Sequence, residues 1–272
     1  MTASQLDAWL GSTRTERMPA LFIGHGSPMN AIEHNRYTDA WSTFGQAQSK
    51  PSAVVCISAH WYVGETSVTA MSQPPTIYDF SGFPQELFQF QYPVKGSGDT
   101  ANRVAELLSP RTVVQDHSCW GIDHGSWSVL CHVFPEADVP VIQLSINSKL
   151  EPLEHVAIGR ALAPLLDENV MVLGSGNIVH NLGLINWSAS GRGEDWAVDF
   201  DNAARDILTS DQPTEIVQLL QHPHAGKAVP TLEHFLPIAY IAGIAEARGS
   251  RLQAIVGGCE LGSLSMTSYA LN

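Results

Sequence analysis

Three histidines stand where a chain could use them for chemistry. His25 follows the apolar LFIG run and lies between Gly24 and Gly26, His60 follows AVVCIS at 53–58, and His180 comes shortly after VMVLGSG at 170–176. Each context is the same: an apolar or β-branched run, a few small polar residues, then an imidazole. Imidazole is the commonest metal ligand among side chains, and its proton exchange lies nearest neutral pH. The chemistry in view is therefore metal binding, proton transfer or both. One histidine after a strand is an ordinary loop residue, but three delivered in the same way imply a shared purpose. Gly24 and Gly26 read as room for the backbone to come close to whatever His25 holds.

The remaining histidines divide by context. In PTLEHFLPIAY, residues 230–240, Thr231 reads as the cap of a helix that puts His234 in its first turn. There the positive end of the dipole disfavours imidazolium and keeps a nitrogen open for a cation. Glu233 is the alternative oxygen ligand, but neighbouring helix residues point about 100° apart, so the two are not expected on one ion. GIDHGSW, residues 121–127, reads as a tight packed loop in which His124 supports a ligand or touches a substrate. His222 and His224 have ligand-like spacing in a Pro/Gly loop that reads as solvated, outside the site. His34, His117, His132 and His155 carry no supporting context.

Something must bring these residues together. Apolar runs at 20–23, 53–58, 66–70, 112–114, 139–146, 170–174 and 252–257 read as strands, and stretches at 36–46, 99–109, 151–166, 194–209, 213–221 and 232–248 have helical spacing. Strand and helix in alternation predict one α/β domain over residues 20–272, its largely parallel or mixed central sheet flanked by helices; residues 1–19 read as a loosely held arm. The Gly-rich break in LQAIVGGCELGSLSMTSYAL predicts a closing hairpin. In such sheets ligands bind beyond the carboxyl ends of the strands, which is where His25, His60 and His180 fall. A metal site is expected there.

Composition removes whole classes of partner. With 272 residues, 44% hydrophobic, and a formal charge of -13 without a Lys/Arg cluster, the chain is expected to bind neither nucleic acid nor an anionic membrane. No apolar run approaches the ~18 residues of a membrane span and the first residues lack a signal-peptide core, so a cytoplasmic protein is expected. Cys56, Cys119, Cys131 and Cys259 are scattered and read as reduced thiols. GSGN at 174–177 lacks the lysine of a phosphate-binding loop, and neither G-x-S-x-G nor H-E-x-x-H occurs.

The motifs GHGSPMNA, SAHW, YDFSGFPQELFQFQYPVKG, DHGSW, GSGNIVHNL and PTLEHFLP, in this order from about residue 20 onward, resemble the class III extradiol ring-cleaving dioxygenases, in the branch of 4,5-DOPA dioxygenase-like proteins with the LigB-like fold. The resemblance implies a non-haem divalent metal, Fe(II) for catalysis, and cleavage of a catechol beside its hydroxyl pair with O2. Carried over by position, His25, His60 and His234 match the metal ligands. His180 matches the catalytic histidine, which in some members also approaches the metal, and His124 an active-site histidine. Tyr78, Phe80 and Phe83 are expected to form a loop over the substrate ring. Many members use two histidines and a glutamate, the facial set of Fe(II) oxygenases, where this chain offers His234. Three neutral imidazoles leave the ion one charge more positive and also suit Zn2+. Two other readings remain at this point: a metal-pocket binding protein of the same fold, and a zinc-dependent hydrolase or amidase. The partners implied are a small catechol and O2, with oligomeric state left open.

Overall fold

The computed structural model describes residues 17–271, and its central sheet is built from the apolar runs. β1 (Ala20–Gly24), β2 (Ala53–Ser58), β6 (Val141–Gln143) and β8 (Val170–Gly176) run parallel, and β12 (Ser268–Leu271) and β9 (Gln253–Val256) add an antiparallel edge, in the order β6-β2-β8-β1-β12-β9. Every residue of β1, β2 and β8 is buried because both faces of the sheet are covered. Alternation then sorts side chains by face. Phe22, Val55, Ile57 and Val172 share one core with α5 (Pro152–Leu162), α6 (Asp195–Leu208) and α8 (Leu236–Ala247). Leu21, Ile23, Val54, Cys56 and Leu173 share the other with α1 (Arg36–Ala47) and α4 (His124–Val133). α8 is apolar on all sides because it lies between the sheet and α5.

Shorter elements complete the layout. α2 (Gln85–Gln89), α3 (Gly98–Leu107) and α7 (Ala225–Ala228) are peripheral helices. β3 (Tyr62–Val63) pairs with β7 (Ile146–Asn147), β4 (Ser67–Thr69) with β5 (Val114–Asp116), and β10 (Cys259–Glu260) with β11 (Leu264–Ser265). β9 and β12 form the expected closing hairpin, with β10 and β11 inserted between them.

Several expected boundaries moved for identifiable reasons. The helix expected over 151–166 ends as α5 at Leu162 and continues as 3-10 turns to Glu168, because Pro164 cannot donate the next helical bond. The 213–221 segment is 3-10 rather than α, a stretch bounded by Pro213 and Pro223. The 139–146 run splits into β6 and β7. Of the expected arm, residues 1–16 lie outside the described residues; Met18 is buried and its N–H donates to Leu166 C=O. Among the described residues no helix is long and apolar enough to cross a membrane.

Among the buried histidines, one far from the strand ends adds to the acid sensitivity of the fold. His155 of α5 is fully buried, its Nδ1 2.8 Å from the Tyr240 hydroxyl of α8, and burial takes its pKa from 6.5 down to about 4. The unfolded chain binds this proton first, so stability held above pH 6.5 is lost as pH falls toward 4. Urea unfolding should show that decline, with His155 adding up to ~1.4 kcal/mol per pH unit. His155→Gln should reduce the slope; an unaltered slope would place the titration on other groups.

Candidate metal centre

β1, β2 and β8 end side by side, and the chain turns beyond each end. His25 follows β1 directly, with its N–H on Gly176 C=O, and Ala59 N–H bonds Ser175 C=O just before His60. The turn ahead of α8 crosses the same place, its His234 C=O accepting from Asn177 N–H at 2.9 Å. His25, His60 and His234 thereby present donor atoms that all lie within 4.8 Å of one another. His60, Asp79 and His124 form a second, overlapping group that meets the same distance.

The tautomers follow from the partners. Ser175 Oγ donates its one hydrogen to Gly125 C=O, so it must accept from His25 Nδ1 at 2.9 Å, leaving His25 Nε2 as a lone pair. His60 Nδ1 lies 2.9 Å from Asp79 Oδ2, an ion-pair contact rather than an aligned hydrogen bond, and one that still needs a hydrogen on Nδ1 because two bare acceptors would repel. The two Nε2 atoms then face each other at 3.2 Å. Two lone pairs at that separation repel, so either a proton on His60 Nε2, whose raised pKa favours it, or a bound cation bridges them. The donor set therefore fits a divalent metal, with imidazole nitrogens already oriented by their second partners.

Electrostatics keep most of the cluster neutral. Burial, followed by the neighbouring histidines, holds His25 well below the usual imidazole range, and burial takes His234 down to about 4 despite Glu233. His180 falls to about 3 through burial and His234. Burial also lowers His124. In His60 the burial effect is more than offset by the Asp79 carboxylate, so its pKa is raised. Burial pushes Asp79 upward, yet His124 and His60 hold it well below the carboxylate range, and it is ionised at pH 7. Neutral imidazoles are the form a metal requires.

The other expected residues fall around this trio. His180 has its ring stacked on His234, centroids 3.5 Å apart and 4° from parallel, and lies outside both groups of close donor atoms. His124 is 4.0 Å from His60 between ring centroids and 5.9 Å from His25. Phe80 lies 5.4 Å edge-on to His124 and 5.4 Å from Phe83, whereas the Tyr78 hydroxyl is committed to Phe90 C=O at 2.6 Å. Only Phe80 of the three aromatic residues makes a ring contact with the histidines. His222 and His224 each lie 3.6 Å from Asp199 at the surface, away from the cluster.

Three local readings are corrected. Thr231 does not cap the helix: its hydroxyl donates to Glu233 Oε1, α8 begins at Leu236, and His234 precedes it. Burial, not the helix dipole, keeps His234 neutral. The dipole acts instead on His124, which opens α4 behind the Asp123 cap where a tight loop was expected. Gly24 and Gly26 make room not for a ligand but for the chain's other end, since a Cβ on Gly24 would meet the Met266 backbone at 2.8 Å and one on Gly26 the Met266 sulfur at 2.4 Å. The glycine that does serve the site is Gly125, where a Cβ would meet the His60 ring at 2.8 Å.

Asp79 is the residue sequence reasoning missed. It sits between two aromatic residues already singled out, and an acid inside an aromatic turn was the available signal.

A mixed α/β sheet with a histidine cluster beyond its strand ends defines a metal-dependent enzyme of the open-sheet type. The sequence matches the family described as the catalytic LigB subunit of aromatic ring-opening dioxygenase over residues 19–261. It is 45% identical over 274 residues to 4,5-DOPA dioxygenase extradiol of Escherichia coli K12, covering 100% of both chains. Its identity to the Beta vulgaris protein of the same name is 37% over 257 residues, 91% of this chain and 94% of that one. The crystal structure of an uncharacterized protein from Escherichia coli K12 has a TM-score of 0.82 at 41% identity, covering 94% of this chain and 100% of that one. The chain belongs to the LigB family of extradiol aromatic ring-opening dioxygenases, enzymes that work with a non-haem metal. Membership sets aside the hydrolase and binding-protein readings.

Proposed function

We propose that His25, His60 and His234 hold one catalytic Fe(II) ion through Nε2 and that the enzyme opens a DOPA-like catechol there with O2. The observation that supports this most strongly is the pair of Nε2 atoms of His25 and His60 facing each other at 3.2 Å while each Nδ1 is engaged elsewhere. Such an ion supplies electron exchange with O2 and an anchor for the catechol oxygens. Zn2+ suits the same three imidazoles but not the electron exchange, so the metal found on isolation and the catalytic metal can differ.

The chain's own groups do the rest. His180 is neutral at pH 7 and its ring nitrogens make no hydrogen bond among the described residues, so it can take the catechol proton and return one as the ring opens. A catecholate arriving beside it raises its proton affinity. His124 hydrogen-bonds the substrate, and Phe80, backed by Phe83 and Tyr78, covers the ring. The charged groups acting on the histidines are the carboxylates Asp79, Asp123 and Glu233. That field suits a catechol carrying an ammonium group, as DOPA does.

Anaerobic loading with Fe(II), then addition of L-DOPA and O2, should give one O2 consumed per catechol and a yellow ring-opened product. The Zn2+-loaded protein should consume none. An Fe(II)-loaded protein that binds the catechol without oxygen uptake would overturn the reading. The third ligand has its own check. His234→Ala should lose the metal, whereas Glu233→Ala, which removes a carboxylate 3.4 Å from His234 Nδ1, should keep most of it. The reverse outcome would make Glu233 the ligand.

A further inference from the structure

Asp79 touches two histidines that reach the site from different elements. Its Oδ2 lies 2.9 Å from His60 Nδ1, and its Oδ1 accepts from both Nδ1 and the backbone N–H of His124, at 2.9 and 3.0 Å. Its side chain is mostly buried, 18% exposed, so water does not readily replace it. The residue after it, Phe80, packs edge-on against His124. A carboxylate can only accept, so every ring nitrogen turned toward Asp79 must carry a hydrogen.

We propose that Asp79 is a positioning residue that fixes His60 and His124 together in the Nδ1–H tautomer, turning both Nε2 lone pairs into the site, and that it ties the aromatic 78–83 turn to the same pair. This assigns His124 a definite part: with its Nδ1–H committed to Asp79 Oδ1, its Nε2 is the atom left to meet a substrate hydroxyl, and in the Nδ1–H tautomer that atom accepts the hydrogen bond. The proposal rests on the reading of His60 as a metal ligand for its effect on affinity, but the tautomers can be read whether or not that ligand assignment holds.

The amide variant separates the two contacts. In Asp79→Asn the amide oxygen stays with His124, which offers it two hydrogens, so the NH2 group must turn to His60. A donor facing His60 Nδ1 drives that ring to the Nε2–H tautomer, which cannot bind metal. Asp79→Ala instead releases both rings.

The test is the imidazole nitrogen spectrum of the 15N-histidine-labelled full chain, with and without Zn2+, together with Zn2+ affinity by chelator competition. In the native protein both His60 and His124 should show Nδ1–H. Asp79→Asn should invert His60 alone, and Asp79→Ala should leave both mixed. Zn2+ affinity should fall by about 10- to 100-fold in each, as for other partners that orient a ligand. At saturating Fe(II), kcat should fall further in Asp79→Ala than in Asp79→Asn, because only the former frees His124. A native protein in which either ring carries its hydrogen on Nε2 and none on Nδ1 overturns the proposal without recourse to variants. So does native Zn2+ affinity in Asp79→Asn with His60 still Nδ1–H. Correct tautomers with Zn2+ bound elsewhere would keep the positioning role and refute the ligand assignment instead.

Discussion

Replacing His25 or His60 by alanine should abolish stoichiometric metal binding and, with it, ring opening, while the protein still folds. The loss should be total because each side chain would supply one of three donors that lie within 4.8 Å of one another, and two imidazoles retain a divalent ion far less well than three. Folding survives because both residues lie just beyond strand ends, outside the two cores that β1 and β2 help to form. Metal content after loading and dialysis should fall from about one ion per chain to none, with cooperative urea unfolding preserved. Full occupancy in either variant would refute the assignment.

His180→Gln should have the opposite signature. Glutamine keeps a hydrogen-bonding side chain of similar reach but cannot carry a proton near neutral pH. The variant should retain its metal and bind catechol, while the rate of ring opening falls by about 10²- to 10⁴-fold, the usual contribution of a general acid–base group. His180 can be spared from metal binding because its ring stacks on His234 outside the close donor groups. Loss of metal would make it a fourth ligand, and an unchanged rate would remove it from the mechanism. Metal content, catechol affinity and oxygen uptake on one preparation separate these results.

The strand-end histidines were legible because strand periodicity is local and the position of ligand sites in open α/β sheets is a rule of topology. His25, His60 and His180 needed only the ends of β1, β2 and β8. His124 and His234 could be singled out, but their surroundings could not. Thr231 looks like a cap, yet its hydroxyl is taken by Glu233, and the helix starts later, with Pro237 in its first turn. Gly24 and Gly26 have a cause at the far end of the chain, in Met266, which no local pattern reveals. Asp79 is the sharpest case. It lies in a turn without periodicity, 45 residues from His124, and its importance comes entirely from where β2 and α4 converge. Composition could exclude nucleic-acid partners, but it could not show how two imidazoles share one carboxylate.

Anomalous diffraction from crystals of the Fe(II)-loaded enzyme, grown and soaked with a catechol in the absence of O2, tests the account most directly. It predicts a single iron bound by the Nε2 atoms of His25, His60 and His234, both catechol oxygens on that iron, Asp79 against His60 and His124, and His180 beside the substrate without a bond to metal. Iron bound by His60, Asp79 and His124, or by Glu233 in place of His234, would contradict it.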